Sequence, residues 1–169
     1  MRNPGILALH AVTFTNAIHY AFEHCHDDVT RRLLLLQNAA FIPLFAGQQK
    51  RDGIRIDEFE PAKLESTGEE AVAEIFSDVT SERLTAARKV LAYLQNKGDV
   101  RLLAETARRL IFLKGNNSHD YKFSSAVLED YEHLSPPWRD RFLAASVFNL
   151  RGSGHADTDL VKRIRSALG

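Results

Sequence analysis

The sequence predicts an all-α fold: an irregular bundle of seven or eight helices around a central apolar helix at 29–45. Three observations predict it. Capping residues recur along the whole chain, and apolar positions between them repeat every three or four residues. The two-residue alternation of a strand is confined to Ile54-Arg55-Ile56. At 169 residues, 44% hydrophobic and 26% charged, the chain is expected to form one helical domain, 1–169.

The elements follow in order. Asn3 can cap a first helix over roughly 5–24, with Pro4 at its first position. Asp27 or Asp28 opens the next, through Val29 to Phe45, which Pro43 should bend or end. Its apolar residues surround the axis, so a central place is expected for it. Residues 47–65 are polar, contain Gly53 and Pro61, and read as a long loop. Ser66-Thr67-Gly68-Glu69 has capping-box spacing before a helix to about Val79. Ser81 should start a helix that Gly98 stops, and Asp99 another that Gly115 stops. Asn117 or Ser118 caps the next, which Ser135-Pro136-Pro137 ends. A helix from Trp138 to about Leu150 follows, with Trp138 as its expected core anchor, and a last helix runs from about Asp157 to Leu168.

Charge and motif content narrow the function classes. The 22 basic and 22 acidic residues cancel, so no global field draws the chain to nucleic acid or an anionic membrane. The single cysteine, Cys25, excludes an intrachain disulfide framework and fits a reducing compartment. With no signal-peptide pattern and no apolar run of spanning length, a cytoplasmic location is expected. Nucleotide-binding GxGxxG, Walker and GxSxG motifs are missing from the sequence, and no cofactor is indicated.

Chemistry concentrates on the helix opened by Asn117. At about 100° per residue, His119, Lys122, Ala126, Asp130 and His133 share a sector of roughly 80°. Phe123, Val127, Tyr131 and Leu134 form the adjoining apolar face, so a titratable seam borders the core. Asp130 and His133 have the spacing of carboxylate-and-imidazole metal sites, whereas Lys122 suits an anionic or oxygen-rich ligand better. The competing reading is a solvated charged edge.

His10 shares a face with Leu7, Phe14, Ala17 and Ala21, so its ring is expected to be largely buried. It is either a structural histidine or a group facing the seam. On the opposite, hydrophilic side, His19, Glu23 and His26 have metal-motif spacing, but one exposed helix supplies an incomplete shell. Gln37 and Asn38 interrupt the apolar helix and either tie helices together or line a polar pocket.

Three segments occur in the order Leu9-His10-Ala11-Val12-Thr13 with Asn16-Ala17, then Leu33 to Phe45, then Lys114-Gly115 with His119-Asp120-Tyr121-Lys122. Together they resemble the C-terminal part of the questin oxidase-like proteins and related uncharacterised bacterial sequences. Those proteins are generally longer, so the resemblance implies that this chain holds part of such a molecule. It implies the oxidative, ring-opening type of chemistry on aromatic polyketides of the name-giving member, most relatives having no assigned activity, and His10, Thr13, Asn16, His119 and Lys122 are the matching positions.

The expected site therefore places His10, His119 and Lys122 as catalytic groups, with Thr13, Asn16, Gln37, Asp130 and His133 binding an oxygen-rich small molecule or a metal ion of unknown identity. The alternative is a non-catalytic interaction or dimerisation module, acting as a homodimer or beside a partner domain. The first reading requires the rings of His10 and His119 to lie within about 8 Å, a gap one ligand or ion can bridge.

Overall fold

The computed structural model describes residues 5–46, 55–58 and 60–169. Asn3 and Pro4, with 47–54 and residue 59 of the expected loop, lie outside the described residues, and so does Ile54 of the short alternation. The described chain is all-α, with eight helices of ten or more residues and no strand among the described residues.

Helix α1 spans Gly5–His24 and α2 spans Asp28–Phe41; a four-residue turn of helix, α3, covers Pro43–Ala46. The break before Pro43 falls where the ring forbids a continuous helix. Then come α4 (Gly68–Ser81), α5 (Arg83–Gln95), α6 (Val100–Lys114), α7 (Ser118–His133), α8 (Pro136–Ser146) with a 3₁₀ turn at Val147–Asn149, and α9 (Asp159–Leu168).

Local chemistry sets most of these ends. A side-chain oxygen of Asp27 accepts from the Thr30 amide, Asp99 from Arg101, Asn117 from His119 and Asp120, and Thr158 from Val161. The capping box at 66–69 does not form. Thr67 holds the cap position without a side-chain bond, while the Ser66 hydroxyl donates to Glu74 at 2.8 Å. Ser81 closes α4 rather than opening α5, and Glu82 joins the two helices.

The end of α5 departs from the expected glycine stop in an instructive way. Lys97, not Gly98, takes the left-handed conformation (φ 60°), with its amide donating to Leu94 O and that of Gly98 to Tyr93 O. Both bonds belong to a Schellman motif. Gly98 is needed for space, since a Cβ there would lie 2.4 Å from the Tyr93 ring.

The centre of the molecule is α5, not the helix expected at 29–45. Ala86, Ala87, Val90, Leu91, Ala92, Tyr93 and Leu94 are all buried there, against α4, α8 and the 3₁₀ turn. Phe76, Ile75, Leu91, Ile111 and Leu143 are the largest fully enclosed side chains, each worth about 1.5–3 kcal/mol of burial. In contrast, α2 has no buried residue, and Val29, Leu33, Leu35 and Leu36 are exposed. An apolar helix becomes central only if other helices cover it, and among the described residues the main neighbours of α2 are α1 and the short α3. Trp138 is likewise no anchor. It sits on the outer side of the first turn of α8, 49% exposed, and Leu143 and Ala144 fix that helix to the core.

Leu91→Ala is accordingly expected to cost about 2–5 kcal/mol of unfolding free energy, against about 0.5 kcal/mol or less for Leu35→Ala. Denaturant titration of both variants checks which helix holds the fold.

Candidate functional site

Seven of the eight residues singled out by sequence, all but Gln37, lie on α1 and α7, and the contact between these two helices brings His10 to His119, Asn16 to Asp130 and His133 to His19. The two helices run in the same direction. His10 meets His119 near their starts, with ring centroids 5.4 Å apart, and His19 meets His133 near their ends, at 4.6 Å. Between these pairs the Asn16 amide donates to the Asp130 carboxylate at 2.9 Å. Phe123, Ala126 and Val127 give α7 its inward face, while among the described residues α1 buries Leu9 and Ile18. The polar side chains therefore meet at the border of the core.

Two distinct places result. At the N-terminal end is an open groove of about 790 Å³, bounded by α1, the α2–α3 bend and α7. His10, Thr13, Asn16, Lys122 and Ser125 supply its polar groups, and Phe14, Phe41, Leu44 and Phe45 its apolar wall. Phe14 and Phe41 pack with centroids 3.8 Å apart, so the wall is built largely from ring surfaces. At the other end, His19, Glu23 and His133 gather beyond the Asn16–Asp130 bond.

Several positions differ from expectation. His10 is exposed rather than largely buried: among the described residues α1 packs mainly on α7 and α2, with the short α3 a lesser neighbour, and these leave the His10 ring open to water. The Thr13 hydroxyl is spent partly on its own helix, donating to Leu9 O at 3.1 Å. Gln37 is exposed on α2 and does not line the groove. Its neighbour Asn38 turns toward α1 instead and accepts from Thr15 at 3.1 Å, tying the two helices together. Asp130 and His133 also lie outside the groove lining, Asp130 reaching it only through Asn16.

Electrostatics mark Asp130 as the strained member. Burial holds its carboxyl above the ordinary carboxylate range. The Asn16 hydrogen bond opposes this, Glu129 adds to it, and His19 and His133 pull downward.

Two further features are illegible in the sequence order. Asp120 is buried and accepts from the Asn116 amide and from the Arg151 guanidinium at 3.2 and 2.7 Å. This locks the start of α7, and hence His119, to the segment after α8. The only local sign was an acidic residue in a helix's first turn, and nothing near it points to Arg151. The second feature is the partnership of His19 and Glu23 with His133, 110 or more residues away; His26 takes no part in it.

Neither a family model, nor a curated protein, nor a solved structure matches this chain. No helix among the described residues is long and apolar enough to cross a membrane.

A carboxyl whose folded pKa is raised favours the protonated native state. Its contribution is present below the ordinary value of about 4 and is lost as pH rises through the elevated one. Asp130→Asn, which keeps an acceptor for Asn16, is thus expected to raise Tm by about 2–4 °C at pH 7 and by little at pH 4. Thermal melts at the two pH values check this; an equal or lower Tm at pH 7 contradicts the burial cost.

Proposed function

We propose that the groove between α1, α7 and the α2–α3 bend binds a planar, oxygen-bearing small molecule. One observation supports this above the others: the imidazoles of His10 and His119, brought from distant segments, lie 5.4 Å apart beside the groove that Lys122 also lines. An aromatic ligand would lie on Phe14, Phe41 and Phe45 with its oxygens toward His10 and Lys122. The wall offers ring stacking, and the opposite side offers hydrogen bonds and a positive charge.

The chemistry available to these groups is proton transfer. An imidazole of the His10–His119 pair takes the proton of a phenol or enol, and the Lys122 ammonium stabilises the resulting anion. A phenolate gives up electrons more readily than its phenol, which fits the oxidoreductase-like activity on aromatic substrates implied by the resemblance to questin oxidase-like proteins. A cytoplasmic setting belongs to the same reading.

Titration with a fused-ring polyphenol, followed by fluorescence or calorimetry, tests it. His119→Ala and Lys122→Ala should each weaken binding about tenfold, a loss of about 1.4 kcal/mol, while Tm stays nearly constant. Failure of the intact chain to bind such compounds, or a large fall in Tm with affinity unchanged, would leave the two imidazoles as a structural contact.

A second reading, a helical interaction module, is favoured by a different observation. Leu33, Leu36 and Leu44 are 59, 66 and 72% exposed, an unusual amount of aliphatic surface around one helix and its bend. On this reading the chain self-associates or docks a partner domain through α2. Sedimentation should then give a dimer mass that Leu36→Glu halves; a monomer at high micromolar concentration contradicts self-association.

A further inference from the structure

The C-terminal end of the α1–α7 seam carries chemistry that the groove does not use. His19 and Glu23 stand one turn apart on α1, and His133 closes the last turn of α7. A nitrogen of each histidine and a carboxylate oxygen of Glu23 all lie within 4.8 Å of one another. His19 Nε2 and Glu23 Oε1 are 3.5 Å apart.

We propose that His19, Glu23 and His133 form a binding site for a first-row divalent metal ion, separate from the small-molecule groove and independent of what that groove binds. Bonds of about 2.0–2.1 Å in a tetrahedral shell set neighbouring donors roughly 3.4 Å apart. The His19–Glu23 pair already has that separation. The remaining pairs need to close by little more than 1 Å, a side-chain rotation that their partial exposure permits.

Donor chemistry narrows the ion. Two imidazoles and one carboxylate suit zinc, iron(II) or nickel, whereas calcium and magnesium prefer shells made of oxygen. Charge agrees with a dication. Glu23 supplies one carboxylate to the triad, and Asp130, which interacts electrostatically with both His19 and His133, places a second beside it. Asp130 is oriented by Asn16 and stays outside the donor triad, so its part is electrostatic. Three protein donors leave at least one position for water, and the exposure of Glu23 and His133 leaves a path for the ion.

The arrangement also removes the objection raised by sequence. His19 and Glu23 on one exposed helix make an incomplete shell, but the third donor comes from the facing helix and not from His26. An ion here would cross-link α1 to α7 beside the end of the core, so its binding should raise the stability of the whole chain.

Zinc titration of the intact protein, read by calorimetry and by thermal melting, tests the site. One zinc per chain is expected, with a rise in Tm. His133→Ala and His19→Ala should weaken binding at least tenfold and abolish the rise, and Glu23→Gln should weaken it several-fold. His24→Ala is the control on the same helix, because that ring stacks on Tyr20 and lies outside the triad; it should leave affinity within twofold. If a variant has a lowered metal-free Tm, the zinc-induced shift in Tm is still the readout. Undiminished binding in His133→Ala would place the ion on α1 alone and overturn the proposal, as would no binding at micromolar zinc.

Discussion

Contact between α1 and α7 is the constraint on which the candidate chemistry depends. The core proper is centred on α5, and α1 adds little to it: Leu9 joins the core, Val12 packs against it, and Leu9 and Ile18 are the buried hydrophobic residues of α1 among the described residues. Helix α1 therefore lies at the edge of the core, and polar pairs mark its register on α7: His10 with His119, Asn16 with Asp130, His19 with His133. Apolar packing tolerates small shifts along a helix, but a hydrogen bond at 2.9 Å does not. The Asn16–Asp130 bond thus holds the histidine pairs at both ends in place. Its cost is a carboxylate kept partly out of water.

This layout explains how one seam carries two chemical environments. At the N-terminal end the α2–α3 bend comes close enough to roof the seam with phenyl rings, giving a groove with one aromatic wall. At the other end the site is open among the described residues: Glu23 and His133 are exposed and His19 is half-buried. The first setting suits an aromatic molecule with polar edges; the second suits a small hydrated cation. The Asp120–Arg151 pair supports both by fixing the start of α7 to the body of the protein.

How much of this was legible in the sequence differs from element to element. The helices and their caps were readable because capping is local: Asp27, Asp99, Asn117 and the proline of α8 act on amides within a few residues. The convergence of His10 with His119 was anticipated from polar residues lining apolar helix faces, and five of the eight expected site residues, His10, Thr13, Asn16, His119 and Lys122, lie in or beside the groove. The misplacements share one cause. The central position given to 29–45, the burial expected of His10, the anchor role of Trp138 and the groove position of Gln37 all took apolar context for burial. Apolarity favours removal from water but does not supply the neighbour that removes it.

The sequence by itself determined an all-α chain, its helix boundaries to within a few residues, and the polar edge of α7, because periodicity and caps are properties of short segments. Only the tertiary structure decided that α5 and not α2 forms the centre. It alone brought His133 to His19 and Glu23, paired Asp120 with Arg151 and left α2 without a buried residue. Those outcomes depend on which surfaces meet once segments distant in the sequence have packed, 31 residues apart for Asp120 and Arg151 and 110 or more for His133 and its partners. Segments equal in hydrophobicity compete for the same partners, and shape rather than composition selects among them.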